Sequence, residues 1–362
     1  MKKIAIVCDW LTNLGGAERV VYQLHKLFPE APIYTSLYNP EKLPQFKKAD
    51  VRTSFLQKIP VLRRKHQLAL PLLPYAFEQF DLSEYDLVIS SSFAFSKGVL
   101  TDMKTTHVCY CHNPTRYLWD ESHEYLRRYQ MPKVFKWLMQ LFSEKLRIWD
   151  RVAAERPDFY LANSEFVRQR IQKYYQRQAK VLYPGVELPE PLKLERQDYY
   201  LACGRITAQK YFDLVVEAFN ELKLPLKIVG EGPLLQQMKE LNRSDKTEFL
   251  GFVSDQELME LYAGAKALVF PQAEDFGIVP IEAQAQGCPV LFYAKGGALE
   301  TCLANNEAGI GFAEQSVEAL KQAVLQFEQR QKIDHRQIRE HVDQFSSERF
   351  SEDLMAYLAK IS

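Results

Sequence analysis

Arg205 and Lys210 stand five positions apart, and Glu274 and Glu282 eight apart. Arg205 follows the apolar run Tyr199-Tyr200-Leu201-Ala202-Cys203-Gly204, which reads as a strand, and Lys210 precedes the helical pattern Phe212–Leu222. Two cations are thus held at a strand end and near a helix start, with Thr207–Lys210 as the loop between them. An arginine can grip two phosphate oxygens at once, while a lysine acts as a point charge. Together they can neutralise a diphosphate as it leaves. The two glutamates bracket another strand-to-helix turn. Ala267-Leu268-Val269-Phe270 reads as a buried strand, and Ile281 to Gln286 as the first turns of a helix, with Pro280 near its N1 position. The free N–H groups and positive dipole end of a helix start suit an anion. Gly277 lets a ligand approach the backbone closely. Glu274, in the loop, is placed to touch a ligand's reacting end. Glu282, in the first helical turn, can accept hydrogen bonds from a ribose diol. The bland reading of the two is a solvated loop residue and an ordinary first-turn acid.

The elements that must position these residues alternate strand and helix along the whole chain. Lys3–Asp9 is an opening strand, followed by Gly15-Gly16 and a helix with apolar positions Val20, Val21, Leu24 and Leu27. Such a Gly-Gly loop can bring N–H groups against a phosphate or sugar, although a tight turn explains it as well. It is not a Walker loop and lacks the full G-x-G-x-x-G fingerprint. Asp86–Ser92 is a second strand. Thr106–His112 is a third, with Asn113-Pro114 fixing a turn directly after His112. The end of a parallel strand is a favoured place for chemistry, so a site role for His112 outweighs a structural one. Tyr160–Asn163 leads to Ser164 as an N-cap, and Lys180–Val186 is the last strand of this half. The polar stretch Glu187–Arg196 marks a boundary. Beyond it, Leu226–Val229 runs into the turn Gly230–Pro233. Glu248–Val253 runs to Ser254 as the cap of a helix starting near Asp255, and Cys288–Phe292 runs into Gly296-Gly297. Phe345–Lys360 reads as helix. Of the 15 glycines, 11 lie from Gly204 onward, as expected where backbone crowds a phosphate and a base.

The 362 residues suffice for two α/β domains, and 47% hydrophobic with 25% charged residues is ordinary for a soluble globular chain. Scattered cysteines without a C-x-x-C pair, and no signal peptide, point to a reduced cytoplasmic protein. No apolar run reaches the roughly 18 residues of a membrane span. Net charge is zero, but residues 1–184 hold 28 Lys+Arg against 18 Asp+Glu, and the remainder 18 against 28. Either the basic half meets an anionic partner, or two domains attract across a cleft. The stretch Tyr125–Trp149 mixes Arg127, Arg128, Lys133, Lys136, Lys145 and Arg147 with aromatics, as an amphipathic helix resting on an anionic bilayer would. A helix packed on its own domain fits the pattern equally. No nucleic-acid motif is visible and the chain as a whole is not basic, so no nucleic-acid partner is expected.

The G-R-x4-K run Gly204–Lys210 and the E-x7-E run Glu274–Glu282 resemble the retaining GT-B glycosyltransferases of family 4 (group 1), over nearly the whole chain. The resemblance implies two Rossmann-like α/β domains facing a central cleft. Residues 1–186 would bind the acceptor and 187–344 the nucleotide sugar, with 345–362 packing back on the first domain. It implies that Gly15 and Gly16 face the diphosphate and acceptor, and that His112 contacts the transferred sugar. Gly204, Gly232, Val253, Phe276, Gly277, Ile278, Val279 and Glu282 would line the donor, with Glu282 on the ribose. Arg205, Lys210 and the helix start would hold the leaving diphosphate and Glu274 the sugar hydroxyls. The family's glycine after the lysine is replaced by Tyr211, which bears on the loop's shape. Without a D-x-D, no metal or other cofactor is expected. Phe276–Ala283 and His112–Asp120 resemble bacterial mannosyltransferases of polysaccharide assembly, implying GDP-mannose, with a UDP-sugar next. The implied acceptor is a glycan, lipid-linked, at the inner face of the plasma membrane. A sugar-nucleotide epimerase and a non-catalytic sugar-binding subunit are the rival readings, and the intact motifs weigh against both.

Overall fold

A computed structural model of the chain describes residues 2–64, 66–119, 133–302, 308–330 and 332–361, with the side chains at 63–68 and 133–142 excepted. The chain divides into two compact units: Met1–Pro184 with Asp353–Ser362, and Gly185–Glu352. The expected basic stretch Tyr125–Trp149 lies partly outside the described residues. Its described part belongs to the helix Lys133–Ala153, in which Leu146 and Ala153 are buried while Ile148 and Val152 are exposed. Among the described residues, no helix is long and apolar enough to cross a membrane.

In the first unit, β1 (Ile4–Cys8), β2 (Ile33–Thr35), β3 (Val51–Thr53), β4 (Leu87–Ser92), β5 (Thr106–Cys111), β6 (Phe159–Ala162) and β7 (Lys180–Val181) form one sheet in the order β3-β2-β1-β4-β5-β6-β7. All pairings are parallel. The second unit repeats the plan. Here β8 (Tyr200–Cys203), β9 (Leu226–Val229), β10 (Thr247–Gly251), β11 (Ala267–Phe270), β12 (Val290–Tyr293) and β13 (Ile310–Phe312) lie parallel in the order β10-β9-β8-β11-β12-β13. The central strands β4, β8 and β11 are buried at every residue. This is the burial that helices on both faces of a parallel sheet impose, and it explains why these strands read as continuous rather than alternating runs. In the second unit, Val215, Phe219, Leu320 and Val324 of the helices Phe212–Leu222 and Val317–Glu328 pack on one face of the sheet. Tyr262, Ala283 and Ala298 pack on the other. In each sheet the order reverses, between β1 and β4 and between β8 and β11. The crevice at the carboxyl end of that reversal is where open α/β sheets bind ligands.

Two elements are shorter than the sequence suggests. The last strand of the first half pairs only over Lys180–Val181, because its partner β6 ends at Ala162, whose carbonyl accepts the Leu182 N–H. The final helix starts at Ser347, after a 3-10 turn Val342–Phe345. Arg196, at the end of the polar boundary stretch, is tied into the second unit. Its guanidinium donates to the carbonyls of Ala265 (2.6 Å) and Gln286 (2.8 Å), capping the ends of two helices.

The first unit is held at its strand ends by buried polar groups. Asp9, just past β1, is fully buried, and its carboxylate accepts the N–H groups of Phe93, Ala94, Phe95 and Ser96 at 2.5–3.0 Å. The loop so gathered carries Lys97, whose ammonium lies 2.6 Å from Asp150 on the helix Lys133–Ala153. Asp150 also accepts from Thr115 Oγ1 (2.7 Å), Trp119 Nε1 (2.8 Å) and Tyr175 OH (2.9 Å). Removing one partner of a buried ion pair leaves a charge stranded without water. Lys97→Met should therefore lower unfolding stability by about 3–5 kcal/mol, seen as an earlier urea midpoint. A loss below about 1 kcal/mol would show that the pair contributes little.

Candidate functional site

Gly204, Arg205, Lys210, Glu274, Gly277 and Glu282 of the second unit stand beyond the carboxyl ends of β8 and β11. Gly204 closes β8 with φ at 141°, a conformation open to glycine, and donates its N–H to Val229. Arg205 follows, exposed, and makes no hydrogen bond or ion pair with another described residue. Thr207–Lys210 tightens into a 3-10 turn over Ala208–Lys210 rather than an irregular loop. Tyr211 then takes φ 53° and ψ 38°. This is the left-handed conformation that a glycine would adopt freely, so the turn keeps its shape although the glycine is absent. A non-glycine residue there costs about 1–2 kcal/mol, offset by the packing of the Tyr211 ring on the core under Phe212–Leu222.

The ammonium of Lys210 donates to Glu274 Oε1, joining the two motifs. Glu274 Oε1 also accepts from Gln272 Nε2 at 3.2 Å. The next helix runs Ile278–Ala285, three residues earlier than the sequence reading, with Gly277 as its cap at φ 99°. Pro280 is thus its third residue rather than its first, equally free of clash, since the first turn's N–H groups need no helical partner. Glu282 consequently falls in the second turn, not the first. Its charge still reaches the end of β8. Burial first, and Glu282 among its neighbours, push the Cys203 thiol up to about 12, while Lys210 pulls the other way. Lys210, Glu274 and Glu282 therefore share one strand-end region.

Several glycines serve backbone contacts rather than a ligand. A Cβ on Gly230 would lie 1.9 Å from Gly204 O, and one on Gly232 2.2 Å from Ile206 O. Gly296 and Gly297 lie against the motif loop itself. Their Cβ atoms would meet Glu274 O and Phe276 O at 2.4 Å, and Gly297 N–H donates to Glu274 O at 2.8 Å. Thr301, fully buried, has its hydroxyl beside Phe276 O (3.3 Å) and Gly297 O (3.2 Å). Gln284 donates to Thr301 O at 2.7 Å. The sequence gives no sign of this support, because contacts between distant backbones leave only the residue type glycine behind. Val253, half-buried, lines a cavity of about 650 Å³ with Tyr199, Leu250 and Leu261, which Arg205, Lys210, Glu274 and Glu282 do not line.

In the first unit, His112 lies just past β5 and is nearly buried. Its Nε2 is 2.7 Å from Ser91 Oγ, and its N–H donates to Ser92 O. Gly15 and Gly16 are exposed, but the Gly15 amide is engaged by Glu18, a residue the sequence reading passed over. The Glu18 carboxylate accepts the N–H groups of Gly15 and of its own residue. Burial raises its carboxyl to about 7, the nearby Asp9 adding to the rise. Ser-Thr-type capping signals are absent there, so nothing in the sequence marked it. Among the described residues, no group of three or more His, Cys, Asp and Glu is gathered as for a metal ion.

Residues 14–190 match the family described as Glycosyltransferase Family 4, and residues 187–343 that described as Glycosyl transferases group 1. Over 360 residues, 80% of this chain and 81% of the relative, the chain is 22% identical to an α-1,3/1,6-mannosyltransferase of Dictyostelium discoideum. Over 153 residues, 39% of this chain and 43% of the relative, it is 30% identical to the O-antigen chain mannosyltransferase of Salmonella typhimurium. The chain spans 25%, 45% and 28% of the length of three other curated relatives. Sucrose-phosphate synthase from Thermosynechococcus elongatus has the same two-domain GT-B fold, with a TM-score of 0.74, 18% identity, and 100% of this chain and 99% of that one covered.

Two measurements probe the local geometry. Tyr211→Gly and Tyr211→Ala lose the same ring, but only glycine relaxes at positive φ. The glycine variant should be the more stable by about 1 kcal/mol, and equal melting temperatures would refute the strain. For Glu18, a folded pKa above the unfolded 4.5 means that its contribution is fully present below pH 4.5. It is lost as pH rises through about 7. Glu18→Gln should match the parent near pH 4 to 5 and exceed it at pH 8.5, by at most about 3 kcal/mol. A constant difference across that range would contradict a buried, titrating carboxyl.

Proposed function

We propose that this chain, which belongs to the group 1 glycosyltransferases, moves a hexose from a nucleotide-sugar donor to a glycan acceptor with retention of anomeric configuration. The observation that carries this reading is the meeting of Lys210 and Glu274, with Glu282 close by, at the carboxyl ends of β8 and β11. In this reading Arg205 and Lys210 take the charge that grows on the leaving diphosphate. The amides opening the helix Ile278–Ala285 add a positive dipole end, and Gly277 keeps their approach clear. Fixed positive groups then do the work that a metal ion does in other transferases. Glu274 holds sugar hydroxyls, Glu282 the ribose, and a phosphate oxygen of the leaving group helps deprotonate the acceptor. His112, steadied by Ser91, would be a sugar ligand of the first unit rather than a base.

Mannose is the favoured sugar, with GDP-mannose as donor. The wording of the motifs and the two mannosyltransferase relatives support that choice. The acceptor would be a growing lipid-linked glycan of polysaccharide synthesis. The exposed Ile148 and Val152, with Lys145 on the same helix, would suit contact with an anionic bilayer surface.

The test is a screen of GDP-mannose, GDP-fucose, UDP-glucose, UDP-galactose and UDP-GlcNAc in EDTA, read as thermal stabilisation and slow donor hydrolysis. A donor at 100 times its Kd adds about 2.7 kcal/mol of stability. GDP-mannose should raise Tm and be hydrolysed, and Arg205→Ala or Lys210→Ala should cut turnover about 10²- to 10³-fold. A UDP-sugar in its place would overturn the donor. Silence with all five, or a response that needs metal, would overturn the mechanism.

A further inference from the structure

Lys210 and Glu274 are each assigned a different part of the donor, yet they hold one another. The pair is about one-quarter exposed, so water only partly screens it. Its two members differ in freedom. The backbone of Glu274 is pinned by Gly297 N–H at 2.8 Å and by the close crossing of Gly296. Lys210 ends a short turn and carries its charge on a flexible four-carbon stem. When a diphosphate arrives, Lys210 is therefore the member that moves. Glu274 is then left with the Gln272 amide at 3.2 Å as its remaining hydrogen-bond donor among the contacts just described. A carboxylate partly removed from water loses stabilisation when its cation departs, unless new donors replace it. The hydroxyls of an attached sugar are such donors. A nucleoside diphosphate without the sugar brings none, and adds negative charge beside the stranded carboxylate.

We propose that Glu274 is a specificity-determining residue that favours the intact nucleotide sugar over the spent nucleoside diphosphate, because it competes for Lys210 until sugar hydroxyls take the lysine's place. The lysine thereby serves two anions, the carboxylate it pairs with and the phosphate that competes for it. The spent nucleotide must reopen a contact that the whole donor replaces, so product leaves readily and donor is preferred.

The inference rests on the glycosyltransferase reading, and titration calorimetry separates the two. GDP and GDP-mannose are titrated into the full chain, with UDP and UDP-glucose as the second pair. The same titrations are made on Glu274→Gln, Lys210→Met and the double variant. Glu274→Gln should bind the nucleoside diphosphate about three- to tenfold more tightly, the gain expected from releasing one partly exposed pair. It should bind the nucleotide sugar no more tightly than the parent does, and the gain for the diphosphate should vanish in the Lys210→Met background. An unchanged or weaker diphosphate affinity in Glu274→Gln overturns this inference alone. So does a gain that persists without Lys210, since that is plain charge repulsion. Failure of the parent to bind any of the four nucleotides overturns the functional reading and this inference with it.

Discussion

One buried carboxylate governs the strand ends of the first unit. Asp150 comes from a helix, yet its donors come from elsewhere: Lys97 from the loop after β4, Thr115 and Trp119 from the segment after β5, and Tyr175 from the helix Glu165–Tyr175. Asp9 extends the chain of constraint to the end of β1 by gathering the four amides before Lys97. Three strand ends are thus fixed by two acids with little room for water. His112 inherits its position from this arrangement, because Thr115 and Trp119 follow it on the same short segment. The parallel topology explains why so much polar structure is needed here. Ligands sit where the strand order reverses, and the backbone that turns away from each strand end must still find partners for its amides.

The second unit solves the same problem with backbone against backbone. Gly204 and Gly230 cross, Ile206 and Gly232 cross, and the Gly296-Gly297 turn lies on the loop that carries Glu274. Such contacts admit no side chain, so they fix positions tightly without using polar side chains. Within that frame Lys210 is the mobile member. A closely packed loop presents Glu274, and a four-carbon stem presents the charge of Lys210.

Much of this was legible in the sequence. The apolar runs at Leu87–Ser92, Tyr200–Cys203 and Ala267–Phe270 marked buried parallel strands, and Ser164 and Ser254 marked helix starts that the structure repeats. The charged pairs were visible by type and spacing. The start of the helix at Ile278 was missed because proline at N1 and glycine at the cap are competing signals, and here Gly277 prevails. The clustering of glycines in the second half suggests room for a ligand, whereas several make room for other backbone, a distinction that only tertiary structure draws. Lys97 and Asp150 were invisible for a different reason. A lone lysine in a loop, or a lone acid in an amphipathic helix, reads as solvated, since nothing local shows that a partner waits on another element.

The crossing of Gly296 and Gly297 over Glu274 and Phe276 bears on how such sites diverge and how they can be redesigned. Two segments some twenty residues apart in sequence make a single interlocking surface, with Thr301 as its pin. A side chain at either glycine would collide with the backbone that it crosses, so a change in one segment must be matched in the other. The two segments are therefore one discontinuous structural unit, and a chimaera that respects it must carry both of them and Thr301 together.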